Sequence, residues 1–308
     1  VTTCSGQHAV VGFQLDSTPL LSRPTADLAE PRWDTLDQTA LWGNGLVVRV
    51  DARGRTPLIA DDRLVCVPAK EYGSQPVAGA VLLAVRGETS YWALRTEPDE
   101  EQDTWRDLRS AGGLLDDTDA SLLTTAVGLL GWHDKARYCA VCGATTRRVQ
   151  AGRARRCTGC DREEYPRTDP SMICLVHDGG DLVLLARQTK WPPERYSVLA
   201  GFVEVGESLE GCVRREVAEE VGLAVSDVRY LGSQPWPFPR SLMLGFAAIA
   251  DPAVELRLAE DEIAEARWMH RDHIREALEA DGPVRGLRLP PGVSIAYRML
   301  RGWAYWND

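Results

Sequence analysis

The sequence predicts an α+β chain in three parts: a β-rich N-terminal domain with a closing helix (1–134), a four-cysteine module (135–168) and a mixed α+β sandwich (169–308). Three observations carry this. Short apolar runs bounded by Gly and Asp turns fill the first third, two close cysteine pairs follow, and the last part sets one glutamate-rich amphipathic helix among apolar strands. A length of 308 residues fits two domains and a small insert.

In the first part, 46–50 and 56–60 read as a hairpin with Gly54 in its turn, and 81–85 with 90–96 as a second. Gly43-Asn44-Gly45 is a turn without a dinucleotide fingerprint, and the acidic run 97–103 a surface loop. This module supplies support, dimer contact or substrate contact. Residues 117–134 then read as helix, capped by Asp117, Thr118 and Asp119, with Leu122, Leu123, Ala126, Leu129 and Leu130 on its apolar face. His133, a lone histidine at a helix end, is expected to be structural.

Cys139-x2-Cys142 and Cys157-x2-Cys160 have the spacing of a four-thiolate zinc ribbon. A closed four-sulfur site leaves no position for water, so the one Zn²⁺ expected here is structural; a redox role is the less favoured alternative, because redox motifs rarely come as two spaced pairs. The other cysteines, Cys4, Cys66, Cys174 and Cys212, are isolated; Cys174 and Cys212 read as buried free thiols. Nine Lys/Arg stand against Asp161, Glu163 and Glu164 between Lys135 and Arg167. A solvated hairpin is the default reading of that charge, and a track for a phosphate chain such as an RNA 5′ end the alternative.

In the third part, 172–177 and 181–187 read as a hairpin about Asp178-Gly179-Gly180. Residues 228–233, 242–250 and 254–258 read as strands, and 272–280 and 294–306 as helices. With 44% hydrophobic and 26% charged residues the composition is that of a soluble globular protein. No apolar run reaches membrane-span length and VTTCSGQHAV lacks a signal pattern, so a cytoplasmic protein without membrane contact is expected. A net charge of −10 disfavours non-specific binding along nucleic acid.

The chemistry concentrates between Gly201 and Leu223. On a helix Glu216, Glu219 and Glu220 fall within about 100° of one another, Val213, Val217 and Val221 form a separate core stripe, and Arg215 can brace Glu219. A solvated acidic face is the bland reading of the glutamates alone; crowded carboxylates also suit hard divalent cations such as Mg²⁺. The spacing Gly201-x5-Glu207-x7-Arg215-Glu216-Val217-x-Glu219-Glu220-x-Gly222-Leu223 decides between them, with a chance match on the order of one in 10⁹ per start position. It is identified as a Nudix box, the mark of hydrolases that cleave nucleoside diphosphates linked to a second group.

Ten residues past the box, Ser233-Gln234-Pro235-Trp236-Pro237-Phe238-Pro239-Arg240-Ser241 alternates prolines with aromatics. Composition alone suits a structural loop; the alternation also holds Trp236 and Phe238 as stacking surfaces for a nucleobase or nicotinamide ring. Running on into Leu242-Met243, and preceded by the cysteine module and the Tyr165-Pro166 step, this string resembles the NADH pyrophosphatase family of Nudix hydrolases over nearly the whole chain.

The resemblance implies a Nudix α/β/α sandwich with a mixed sheet. It implies hydrolysis of NAD⁺ or NADH to NMN(H) and AMP by a Mg²⁺- or Mn²⁺-dependent homodimer, two or three ions per site, and removal of NAD caps from RNA 5′ ends. Glu216, Glu220, the Ala200 carbonyl and Glu262 (Asp261 less well) match metal ligands, with Glu220 closest to the attacking water. Glu219 is a third ligand or is held by Arg215, and Glu207 supports the loop–helix junction. Tyr165, Phe202, Gln234 to Ser241 (Pro235, Trp236, Pro237, Phe238, Pro239 and Arg240 among them) and Ala296 match substrate contacts, and Arg109 matches an arginine of the first domain. One departure is Gly152, where some members carry an acidic substrate contact. The alternatives are another diphosphate substrate such as ADP-ribose, or an inert RNA-binding or regulatory protein.

Overall fold

The structure, a computed structural model, describes residues 12–22, 36–99 and 104–306. Cys4 and the end of the acidic run 97–103 lie outside the described residues. Past a short 3₁₀ turn at Leu20–Ser22, the N-terminal elements are α1 (Gln38–Gly43), β1 (Gly45–Val50), β2 (Arg55–Ile59), β3 (Arg63–Leu64) and β4 (Cys66–Pro68). They continue with β5 (Val81–Arg86), β6 (Thr89–Arg95), β7 (Thr104–Asp107), α2 (Leu108–Ala111) and α3 (Asp117–Lys135).

β1 is buried on both faces because successive side chains point to opposite sides. Val48 and Val50 join the core under α3, while Val47 joins Trp42 and Trp92, whose rings meet edge to face at 5.2 Å. The β5–β6 hairpin forms as expected. The hairpin expected from 46–50 and 56–60 does not. β1 pairs with β4 and, in parallel, with β6, whereas β2 pairs with β3 and β7 in a second sheet. Asp51 explains the split: its carboxylate accepts the Arg53 and Arg55 amides at 2.8 Å and the Arg55 side chain at 2.7 Å, folding a tight turn that carries the chain out of the first sheet.

The cysteine module is an antiparallel sheet of β8 (Thr146–Val149), β9 (Ala154–Cys157) and β10 (Glu163–Glu164). All four sulfurs lie within 4.8 Å of one another, with Cys139–Cys160 at 3.8 Å and Cys142–Cys157 at 3.3 Å. A tetrahedron of sulfurs about 2.3 Å from Zn²⁺ has edges of about 3.8 Å, so the set fits that ion. Backbone N–H groups of Cys160 and Gly159 hold the Cys157 thiol down to about 6, favouring the thiolate that a metal needs.

Four of the module's eight arginines, Arg148, Arg153, Arg155 and Arg156, are engaged by the protein itself, and Arg137, Arg147, Arg162 and Arg167 are exposed. Arg148 donates to Gly79 O, Arg153 to Leu82 O and Leu83 O, and Arg155 to Thr146 and His133, while Arg156 pairs with Glu163. His133, buried, donates from Nε2 to Gly152 O at 2.7 Å and accepts Arg155 on Nδ1. Burial first, then Arg148, holds its pKa at about 4, so it stays neutral and pins α3 to the module.

The third part holds β11 (Asp169–His177), β12 (Leu182–Gln188), β13 (Leu199–Phe202), α4 (Leu209–Val221), β14 (Ser226–Trp236), β15 (Ser241–Ile249), β16 (Ile263–His270), α5 (Arg271–Glu279) and α6 (Ile295–Ala304). Its sheet runs β14-β15-β11-β12-β16, with β13 on β11 and a parallel β11–β15 pair. β11 divides its side chains by parity: Met172, Cys174 and Val176 face Val213, Val217 and Val221 of α4, while Ile173 and Leu175 face Met299, Leu300 and Trp303 of α6. That is the expected sandwich.

Two expectations change here, and one strand appears that the sequence reading did not name. The 172–177/181–187 hairpin pairs only at His177–Val183, because β13 takes β11 farther along and Ser197 bridges Ala186 of β12. Residues 254–258 form no strand: the Arg257 and Ala259 amides donate to Val221 O and Glu220 O and so cap α4, while Leu256 and Leu258 pack under the helix. The edge strand β16, rich in Ala, Glu and Arg, carries little strand propensity and is made by pairing with β12. Among the described residues no helix is long and apolar enough to cross a membrane.

The zinc fit predicts about one zinc per purified chain by elemental mass spectrometry. Cys157→Ser should abolish that zinc and lower Tm; a variant with full zinc content and an unchanged Tm would contradict it.

Candidate active site

α4 begins at Ser208, whose hydroxyl accepts the Gly211 amide at 3.1 Å, and stops at Gly222, which takes the left-handed conformation (φ 75°) that a side chain would strain. Seating Cys212, Val213, Val217 and Val221 in the core leaves the glutamates on the adjoining face. Arg215 organises them. Its guanidinium clamps Glu207 at 2.9 and 3.0 Å, reaches Glu219 at 2.8 Å and Glu216 at 3.1 Å, and donates to Phe202 O at 3.0 Å. Glu207 is held down to about 2 by that clamp, which ties the loop to the helix.

Glu220 is the opposite case. It is 2% exposed and its Oε2 has no hydrogen-bond partner. Burial, followed by the charges of Glu262, Glu216 and Glu219, pushes its pKa up to about 8. Glu216 is also raised, by burial first, with Arg215 opposing. A buried carboxylate without a partner among like charges is what a divalent cation with oxygen preference would complete. Among the described residues only the four cysteines bring three or more ligand atoms within 4.8 Å, and the carboxylates stand wider, as mutual repulsion requires.

Gly201 makes room for this cluster. A Cβ there would fall 1.9 Å from the Glu216 carboxyl carbon, and Gly201 O is held by the Ser171 hydroxyl at 2.9 Å. Glu262 is exposed, its charge bears on both Glu216 and Glu220, and its carbonyl accepts the Thr189 amide at 2.9 Å.

A cavity of about 440 Å³ brings Glu220 and Ala200 together with Trp236 and Arg109. A wider groove of about 930 Å³ shares Trp236 and Arg109 and adds Pro235, Pro237, Phe238, Pro239, Arg240 and Ser241. Ser233 to Trp236 belong to β14, so the proline string is a strand end and a turn rather than a free loop; the Phe238–Pro239 bond is cis. Trp236 and Phe238 meet edge to face at 5.0 Å, and Arg109 stacks on Phe238 at 4.0 Å.

Four residues expected at the substrate lie off these linings. Gln234 is fully buried, its amide donating to Val293 O at 2.9 Å, and Ala296, in the first turn of α6, faces the core. Tyr165, bound to Glu163 at 2.6 Å, and Phe202 are exposed on the surface. Gly152 has φ +86° and a Cβ there would meet Val81 at 2.9 Å, so an acidic residue has no place at this position. Trp191 and Arg195, which line the smaller cavity, escaped the sequence reading; the only signal was an aromatic and an arginine flanking Pro192-Pro193.

Comparison with known proteins covers all three parts. Residues 39–132 match the NADH pyrophosphatase-like rudimentary NUDIX domain, 134–165 the NADH pyrophosphatase zinc ribbon domain and 167–287 the NUDIX domain. The NAD-capped RNA hydrolase NudC of Mycobacterium bovis is 47% identical over 306 residues, 96% of this chain and 97% of that protein. The NudC of Mycobacterium tuberculosis gives the same figures. The human NAD-capped RNA hydrolase NUDT12 is 36% identical over 198 residues, 61% of this chain and 42% of that protein.

Saturating Mg²⁺ should raise Tm, as for any ligand of the folded state, with about 2.7 kcal/mol expected at a hundredfold excess over Kd. Gly201→Ala, which expels the Glu216 carboxyl, should lose most of that shift in a thermal melt. An undiminished shift would remove Glu216 from the cation site.

Proposed function

Because the chain belongs to the NADH pyrophosphatase family of Nudix hydrolases, we propose that it hydrolyses the pyrophosphate of NAD(H) to NMN(H) and AMP and removes NAD caps from RNA 5′ ends. The observation that carries this reading is one cavity lined by both Trp236 and Glu220, the residue whose buried Oε2 has no hydrogen-bond partner. A carboxylate cluster alone would serve any diphosphate; an aromatic face beside it suits a dinucleotide.

In this reading Glu216, Glu220, Glu262 and the Ala200 carbonyl would hold two or three Mg²⁺ or Mn²⁺ ions. Such ions, when bound, lower the pKa of water and neutralise charge on the pyrophosphate. Arg215 occupies Glu207 and Glu219 and touches only Oε1 of Glu216, which leaves the other Glu216 oxygen and Glu220 for the site. The Glu220 carboxylate takes the proton of the attacking water as its oxygen bonds to phosphorus, and the bridging P–O bond breaks with its electrons leaving on the departing phosphate. Trp236 stacks on one ring of the substrate, and Arg109, fixed over Phe238, offers its guanidinium to phosphate.

Gln234 and Ala296 act from beneath the site as packing. Tyr165 and Phe202, exposed with Val205, suit contacts completed by a second copy in a homodimer. A cytoplasmic setting agrees with the lack of any disulfide among the described cysteines.

Incubation with NADH and Mg²⁺ should release NMNH and AMP. Glu220→Gln should keep the fold and lose nearly all turnover, by about 10³-fold or more; near-normal kcat would sink the assignment. Comparing kcat/KM for NADH, NAD-capped RNA and ADP-ribose tests the substrate, and a preference for ADP-ribose would overturn it.

A further inference from the structure

The loop between β12 and β13 is tethered along its length. Thr189 N donates to Glu262 O at 2.9 Å, Tyr196 N to Arg288 O at 3.1 Å and Arg288 N to Glu194 O at 2.6 Å. The Tyr196 ring is buried, with its hydroxyl on Glu265 at 2.5 Å. Internal turns at Trp191 N→Gln188 O and Arg195 N→Pro192 O, both 3.0 Å, shape the segment around Pro192-Pro193.

This tethering presents two side chains to the cavity that holds Glu220. Trp191 is half-buried, and Arg195 lies over its ring at 4.7 Å. No carboxylate forms an ion pair with Arg195 among the described residues, so its exposed guanidinium is available to an anionic ligand. Arg109 over Phe238, next to Trp236, is the same combination of guanidinium and aromatic ring, carried on an unrelated part of the chain. The cavity therefore has two separate aromatic faces, Trp191 and Trp236, and an arginine that lines it beside each, Arg195 and Arg109.

We propose that Trp191 and Arg195 form a second ring-and-phosphate subsite, which takes the half of the dinucleotide that Trp236 does not. This rests on the reading of the site as a NAD(H) pyrophosphatase. A substrate with two rings joined by a pyrophosphate is held at both ends, and the bond to be broken is thereby placed beside Glu220. Arg195 is a phosphate ligand in this arrangement, and its stacking on Trp191 keeps the planar guanidinium oriented while the cavity is open.

The test is steady-state cleavage of NADH by the full chain with Mg²⁺, together with inhibition by AMP and by NMNH separately. Trp191→Ala should raise KM for NADH about tenfold (about 1.4 kcal/mol) with a smaller change in kcat. It should weaken inhibition by one of the two monophosphates, and Trp236→Ala by the other. Trp191→Phe should restore KM. Arg195→Gln, an exposed change that the fold tolerates, should weaken the same monophosphate as Trp191→Ala. KM values within twofold of the parent in both Trp191→Ala and Arg195→Gln would overturn the proposal, as would loss of the same monophosphate on changing Trp191 and Trp236. Failure of the unaltered chain to yield NMNH and AMP would instead overturn the function on which the subsite rests.

Discussion

Repulsion among the carboxylates at the C-terminal half of α4 is the constraint to which the rest of the site answers. Glu216, Glu219, Glu220 and Glu262 act on one another in a partly buried setting. Arg215 relieves part of the load by taking Glu207 and Glu219, and it contacts Glu216 as well. Glu220 is beyond its help and is left buried, unpartnered and with its proton affinity raised. A fold that keeps such a group accepts a loss of stability that bound cations would restore. Gly201 is part of the same arrangement, since any side chain there would occupy the place of the Glu216 carboxyl.

In the proposed function, recognition depends on a different part of the chain. Trp236 and Phe238 pack against the core beneath α3, Pro237 lies 3.7 Å from a Cβ position at Gly128, and the Ser22 hydroxyl holds Ser233 O at 2.7 Å. The N-terminal domain therefore backs the aromatic turn of the catalytic domain and contributes Arg109 to it. Zn²⁺ and the buried His133–Arg155 pair fix the module through which the two domains are joined, which accounts for the inward turn of Arg148, Arg153 and Arg155.

Local features were the most legible in the sequence. The α4 helix, its glycines, its valine stripe and the role of Arg215 all follow from spacing within one helix, and the cysteine pairs from spacing within one hairpin. What the sequence hid depends on distant partners. β16 is a strand because β12 lies beside it, 254–258 is not one because its amides cap α4, and Gln234 is buried because Val293 O waits for it. Trp191 and Arg195 join the site only through the path of a loop held by Glu262 and Arg288, which no pattern within the loop reveals.

The central claim is that the glutamate cluster is a cation site, and Mn²⁺ titration followed by electron paramagnetic resonance tests it most directly. The zinc-loaded chain should bind two or three Mn²⁺, and Glu220→Gln should bind fewer or more weakly while keeping its zinc and its fold. Equal Mn²⁺ binding by the two proteins would contradict the account.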